Sequence, residues 1–275
     1  MTTTQANDEA VKELIAALGK ENVLTEMRHR VVRSASCSPF PVQQWKKHLP
    51  DIVVFPDSTD DVVGIVKIAN KYKIPIVPRG GGSGLADGAV PLKHGIVIDI
   101  KRMNRILEID EENMCVTVQT GINLLMLNKV LGELGYWHPD DPAGYVNACV
   151  GGRIGCSGFS LVGSGYGHTR DLVISFEHVL PTGEVIHVGE GGGKKIRKSS
   201  TGYRLKDLFM GHQGTLGVAT EAVLEIFPRP EAEFPAFFAF NSFEDAYQTA
   251  YNLGKSGLKT LSAMVMFIIC SINKS

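Results

Sequence analysis

Glycines are the residues of this 275-residue chain best suited to hold a ligand: Gly80, Gly81, Gly82 and Gly84 crowd into Pro78-Arg79-Gly80-Gly81-Gly82-Ser83-Gly84-Leu85. Backbone so poor in Cβ atoms can take positive φ and turn successive N–H groups toward one point. A concave row of amides of this kind holds an anion, most often a phosphate. The apolar run Ile74-Pro75-Ile76-Val77 before the glycines predicts a buried strand, and Gly95-Ile96-Val97-Ile98-Asp99-Ile100 after them predicts another. Between lies Ala86-Asp87-Gly88-Ala89-Val90, so the cradle is a strand–loop–strand element. A Rossmann fingerprint requires its glycines to open a helix, and no amphipathic run follows them. A Walker A loop ends Gly-Lys-Ser/Thr; Gly193-Lys194-Lys195 has the wrong third residue, and Val188 stands where the upstream glycine belongs. A solvated turn would also concentrate glycine. Three further glycine-rich segments, 144–158, 163–167 and 211–217, each adjoin a strand-like run and favour the cradle.

The elements that position these loops follow from periodicity. Val11, Leu14, Ile15 and Leu18 share one face of a helix over 9–20, with Gly19 as its stop, while 28–50, with Pro39, Pro41 and Pro50, is expected to be irregular and to wrap the main body. Ile52-Val53-Val54-Phe55 is a strand; Ser58 or Thr59 caps a helix that carries Asp60 and Asp61 in its first turn and buries Val62, Ile65, Val66 and Ala69. Segments 105–110 and 114–119 alternate as a hairpin, and Asn123 caps a helix ended by Gly135. Residues 50–138 therefore read as one α/β subdomain. From 141 to 169 the backbone is shaped rather than regular. Strands resume at 172–180, 184–188 and 218–227, with a short helix near 205–210. Pro228-Arg229-Pro230 marks a boundary, beyond which 236–240, 243–254 and 263–267 spell a β-α-β unit.

Composition narrows the class. Hydrophobic residues at 44% and charged residues at 21% are those of a folded soluble chain, and a formal charge of −1 removes the electrostatic case for nucleic acid. The basic run Lys194-Lys195-Ile196-Arg197-Lys198 reads as a solvated loop. Five cysteines show no CxxC pairing and eight histidines no HxxxH or HxH spacing, so a reducing compartment and no metal site are expected. Met1 to Asp8 lacks the apolar core of a secretory signal, and no apolar run is long enough to span a bilayer; the expectation is cytoplasmic, with peripheral membrane association left open.

Six segments in a fixed order resemble the FAD-linked oxidases and dehydrogenases of the vanillyl-alcohol-oxidase superfamily, and most closely the D-lactate dehydrogenase and glycolate oxidase group. They are Pro78–Gly84 with Gly88-Ala89-Val90-Pro91; Gly151-Gly152; Tyr166-Gly167-His168-Thr169-Arg170-Asp171; Leu180–Glu184; Thr201–Leu208; and Gly214–Glu221. The likeness covers about residues 50–267. It implies an α+β chain: an N-terminal helix and wrapping segment (1–49), a two-subdomain PCMH-type FAD-binding domain (50–229), and the start of a ferredoxin-like cap domain (230–275). It places the flavin pyrophosphate along Pro78, Arg79, Gly80, Gly81, Gly82, Ser83, Gly84 and Leu85. Pro142, Gly144, Tyr145 and Ala148, then Gly151, Gly152, Ile154, Gly155, Cys156, Ser157 and Gly158, would approach the pyrophosphate and isoalloxazine. Gly214, Thr215, Leu216, Gly217 and Val218 would surround the nucleotide with backbone. Some relatives tether flavin through a histidine in the first loop; Ser83 stands there, which implies non-covalent FAD.

Departures from the family pattern are local. Gly155-Cys156-Ser157-Gly158-Phe159-Ser160 replaces an Ala-Thr-Asn-Ala-Ser-Gly type segment, and His212-Gln213 replaces Ser-Glu. After Phe267 the pattern is lost, which predicts a truncated or frame-shifted product. The activity implied is oxidation of a D-2-hydroxy acid to the 2-oxo acid, hydride passing to flavin while a base takes the hydroxyl proton. The electrons would go on to a cytochrome, a quinone or an electron-transfer protein. No catalytic residue is assigned: His138 and His168 read as structural hydrogen-bonders, Arg170 and Asp171 as an ion pair or turn, and Trp137, Tyr145 and Tyr203 as packing residues. Two other readings stay open, a flavin-binding remnant without catalysis and an enolpyruvyl-UDP-sugar reductase of the same fold.

Overall fold

The computed structural model describes residues 4–38, 46–234 and 236–256. The first unit contains α1 (Thr4–Leu18), β1 (Val23–Leu24), α2 (Met27–Val31), β2 (Ile52–Val54), α3 (Thr59–Tyr72), β3 (Ile76–Arg79) and β4 (Ile96–Asp99). Its sheet runs β1-β2-β4-β3, with β2 and β3 parallel to β4 and β1 antiparallel at the edge. Ile52, Val53, Val54, Ile96, Val97 and Ile98 are all buried, as expected of parallel strands covered on both faces. Leu14 of α1 and Val62, Ile65, Val66 and Ala69 of α3 join them in one core. Ser58, not Thr59, caps α3: its Oγ accepts from the Asp61 amide at 3.1 Å, and the Asp61 carboxylate accepts from the Ser58 amide at 3.0 Å. The N-terminal segment is thus more than a wrapping. It adds a strand to the sheet, and a short helix occupies part of the stretch expected to be irregular.

The second unit holds β5 (Ile106–Asp110), β6 (Cys115–Gln119), α4 (Leu124–Glu133), β7 (Tyr136–Trp137), α5 (Val150–Cys156), α6 (Gly163–Tyr166), α7 (Thr169–Leu172), β8 (Val173–Val179), β9 (Val185–Gly189), α8 (Leu205–Leu208), β10 (Val218–Glu225) and β11 (Phe227–Pro228). Five of its strands form an antiparallel sheet, β5-β6-β10-β8-β9, and β11 pairs with β7. Val116, Val118, Leu127, Leu131, Ile154, Phe176 and Leu224 fill its core. This corrects the single subdomain expected over 50–138. The hairpin β5–β6 pairs with β10, about a hundred residues away, and α4 packs on the same core, so the chain changes unit just after β4. Local periodicity shows a hairpin but not which sheet receives it. The stretch 141–169, expected without regular elements, contains α5 and α6.

Where the units meet, the Thr59 hydroxyl at the start of α3 donates to Glu177 of β8 at 2.6 Å, and Thr220 of β10 donates to the same oxygen at 2.8 Å. Val179 and Val218 reach across into the first core. The basic run is a largely exposed loop, as expected, in which two side chains are paired: Lys195 with Glu108 at 2.8 Å and Asp110 at 2.5 Å, and Arg197 with Glu225 at 2.6 Å. Helix α9 (Phe243–Lys255) forms as expected, but 236–240 is not a strand, because no neighbouring strand is there to pair with it among the described residues. The strand expected at 263–267 lies outside the described residues. Among the described residues no helix is long and apolar enough to cross a membrane.

Phe176 is the largest fully enclosed side chain of the second core. Phe176→Ala is expected to lower unfolding stability by about 3–5 kcal/mol, measured as a shift in the urea midpoint at constant slope.

Candidate functional site

Three segments distant in sequence close on one another at the carboxyl end of the first sheet. The loop that leaves β3 meets the 142–152 segment: a Cβ on Gly80 would lie 3.1 Å from Cys149 Cβ, one on Gly81 would overlap the Asn147 carbonyl, and one on Gly144 would lie 2.9 Å from Ser83 Cβ. The third segment docks beside them, with Gly214 placed so that a Cβ would stand 2.9 Å from Pro78 Cδ, and Gly88 against the Gln213 side chain. Gly211 donates its amide to Ile154 O at 3.0 Å, and Gln213 donates to Gly155 O at 2.8 Å. The middle segment holds its own shape through a turn in which Tyr145 N donates to Pro142 O and Ala148 N to Gly144 O.

At most of the expected glycines a Cβ would therefore meet neighbouring protein. Gly84, Gly152 and Gly155 differ: no protein atom lies within 4 Å of the Cβ that any of them would carry. Gly152, Gly155 and Cys156 follow one another at helical spacing along one face of α5, while Val150, Arg153 and Ile154 are buried on the other. The main chain is open to a ligand at these positions. Ala148, Ile154 and Val218 place their side chains in the cores, so they can face a ligand only through backbone. Leu85 and Thr215 are exposed at the loop edges, and Pro142 and Gly217 are buried. Leu216 accepts through its carbonyl from His178 Nε2 at 3.0 Å, and Gly151 donates to Thr120 O at 2.7 Å, tying α5 to the sheet.

Two buried charged groups, neither singled out by sequence reasoning as a pair, support the loops. Arg153 of α5 grips Asp140 through Nε at 2.9 Å and Nη2 at 2.6 Å, and donates further to Phe159 O at 2.8 Å; Thr169 donates to the same carboxylate at 2.9 Å. This clamp fits directly under Gly158, whose absent Cβ leaves room for the guanidinium. At the other end, Asp99 is 0% exposed and takes Arg33 Nε at 3.1 Å and Nη2 at 3.0 Å. Its signal in the sequence was a carboxylate ending an otherwise apolar strand. Arg79, 8% exposed, lies against Gly82 and donates to Ala89 O at 3.2 Å; burial holds its guanidinium below the ordinary value. Gly82 takes φ +66, which favours glycine. Beneath the loop, burial pushes the Cys149 thiol up to about 11, so it stays protonated and unreactive at neutral pH.

The histidines are structural. His138 Nδ1 bonds Glu225 O at 2.7 Å, and His168 accepts from Ser160 N at 3.1 Å. Asp171 accepts from the His168 amide at 2.9 Å, and Arg170 reaches Ser157 instead, so these two make a turn and not an ion pair. Trp137 packs edge-on to Tyr166, and the Tyr145 hydroxyl is held by Asn128 at 2.8 Å. Tyr203, expected to pack, is 92% exposed, since the turn before α8 carries it away from the core.

Residues 50–189 match the FAD binding domain family. The chain is 37% identical over 242 residues to the glycolate oxidase subunit GlcD of Bacillus subtilis, covering 88% of this chain and 50% of that protein. To the mitochondrial D-lactate dehydrogenase [cytochrome] of Arabidopsis thaliana it is 36% identical over 253 residues, covering 90% and 43%. The chain thus spans half or less of the length of these relatives. Among solved structures, alkyldihydroxyacetonephosphate synthase superposes with TM-score 0.74 at 28% identity, covering 82% of this chain and 41% of that one. Substrate-bound p-cresol methylhydroxylase gives TM-score 0.73 at 26% identity, covering 84% and 45%.

His178, buried beside the Gly214–Val218 segment, has its pKa pushed down from 6.5 to about 4, first by desolvation. Below pH 6.5 the unfolded chain takes up a proton that the folded chain refuses, so stability falls as pH drops toward 4, by up to about 1.4 kcal/mol per pH unit. Denaturant midpoints measured between pH 7 and pH 5 are expected to fall, and His178→Phe to flatten that slope.

Proposed function

The chain belongs to the FAD binding domain family, with the fold of the p-cresol-methylhydroxylase and vanillyl-alcohol-oxidase group, and from that membership we propose that it is the flavin-carrying part of an oxidoreductase of D-2-hydroxy acids such as D-lactate or glycolate. The observation that carries the reading is the convergence of three loops that leave Gly84, Gly152 and Gly155 open, so that a flat dinucleotide can lie on main chain. The residues fit FAD in charge as well: Arg79 is a buried cation that makes no ion pair among the described residues, set directly under the first glycine loop. The names of the Bacillus and Arabidopsis relatives support the hydroxy-acid substrate, and the latter supports a cytochrome as acceptor.

When bound, FAD supplies the two-electron acceptor that side chains lack. The chain's own residues bind, orient and shield. Loop amides and Arg79 would hold the diphosphate, the glycine face of α5 would lie toward the ring, and the Arg153–Asp140 clamp fixes α5. Ser83 cannot form the tether that a histidine would, which supports non-covalent binding. No base is assigned among the described residues.

The purified protein is expected to be yellow and to bleach anaerobically with D-lactate or glycolate. Persistent yellow colour with every hydroxy acid would leave a flavin carrier without this activity, bleaching by NADPH would point to the reductase chemistry, and failure to take up FAD would overturn the reading. Gly152→Leu places a side chain in the open space beside α5 where no protein atom stands, so we expect it to keep or raise the melting temperature. The same variant should lose FAD affinity by roughly a hundredfold in a fluorescence-quenching titration, an amount set by steric exclusion from a close-packed site.

A further inference from the structure

Arg79 and Asp99 are direct neighbours: they end adjacent parallel strands and are paired in register. Both are buried, and opposite charges so placed normally form an ion pair. Here they do not. The Asp99 carboxylate is occupied by a residue from outside the sheet, Arg33, which approaches Oδ2 with two nitrogens at 3.1 and 3.0 Å. Lys101 completes the shell, with Nζ at 3.6 Å from Oδ2 and its amide donating to Oδ1 at 3.3 Å. Arg79 is left with a single hydrogen bond, to Ala89 O, and its guanidinium lies against Gly82. Three cations thus surround one carboxylate at the base of the glycine loop, and among the described residues the one beneath the loop, Arg79, has no carboxylate oxygen within ion-pairing distance.

Arg33 belongs to the segment after α2, and that segment is anchored. Arg30 Nε donates to Pro50 O at 2.6 Å, Ser36 Oγ donates to Asp87 of the loop, and the Arg33 guanidinium lies 5.2 Å from the centre of the Phe55 ring. We propose that Arg33 is a positioning residue for the cofactor: by holding Asp99 it keeps Arg79 unpaired and turned to the glycine loop, where the diphosphate supplies the missing negative charge. The inference rests on the FAD reading. It assigns the N-terminal segment, which lies outside the matched family region, a part in cofactor affinity.

The mechanism makes a prediction that a merely structural role does not. Removing Arg33 leaves Asp99 held only by Lys101, with Nζ at 3.6 Å, and open to its register neighbour Arg79, so Arg33→Ala should weaken FAD binding by about tenfold or more, the scale of one charge-assisted hydrogen bond. Removing the competing carboxylate as well should reverse the loss: Arg33→Ala/Asp99→Asn should bind FAD within about threefold of the unaltered chain, since Arg79 is again free. Affinities are read by quenching of flavin fluorescence on the apoprotein, with melting temperatures recorded for each variant. An Arg33→Ala chain that binds like the unaltered one overturns the proposal. So does a double variant as weak as, or weaker than, Arg33→Ala, because Arg33 would then act on the ligand or the loop directly. If the single variant does not fold, the double variant, which buries no unpaired carboxylate, decides alone: retained affinity supports the proposal and lost affinity overturns it. No FAD uptake by the unaltered chain would defeat the cofactor reading instead.

Discussion

The whole arrangement depends on main chains passing closer together than a side chain would permit. Gly81 against the Asn147 carbonyl and Gly121 against the Ile100 carbonyl are contacts that a single methyl group would break. Those two approaches bring the loop after β3 against the segment before α5 and the end of the first sheet against the start of the second unit's helix segment. Packed interiors transmit such constraints because they hold few voids to absorb a displacement. Of the glycines in the converging loops, most meet neighbouring protein where a Cβ would stand, and Gly84, Gly152 and Gly155 do not.

Around that seam the two units divide the work. The first, with its buried parallel strands, delivers Arg79 and Asp99 side by side at strand ends, the usual place for ligands in such sheets. The second supplies a wall, α5, tied down by a buried ionic clamp and by bonds from α5 and the segment before it to Ile122 and Thr120. Glu177 lies between them and accepts from a hydroxyl of each unit. A partly buried carboxylate so satisfied contributes geometry more than net stability. The consequence is a seam bridged by one carboxylate that takes a hydroxyl from each side.

Some of this was legible in the residues. Ser58 with Asp61, the apolar stripe of α3, the turn chemistry of Asp110–Asn113 and the cap at Asn123 are local signals, and each element formed where they placed it. The misreadings share a cause. The hairpin β5–β6 went to the wrong unit because strand partners across a hundred residues leave no periodic trace. Tyr203 was misjudged because exposure depends on what stands opposite, and the ion-pair partners of Lys195 and Arg197 in the exposed basic loop could not be foreseen because Glu108, Asp110 and Glu225 are remote in sequence. The strand expected at 236–240 had the composition but not a partner.

The sequence by itself determined that glycine loops follow short strands and that the order of motifs is that of a flavin-binding family. Those are properties of residues and their neighbours along the chain. Only the tertiary structure decided which glycines face protein and which face open space, that Arg33 takes Asp99 from Arg79, and that Arg153 locks onto Asp140. Charge pairing and steric room are settled by distances through space, and the chain brings those groups together only after both cores have closed.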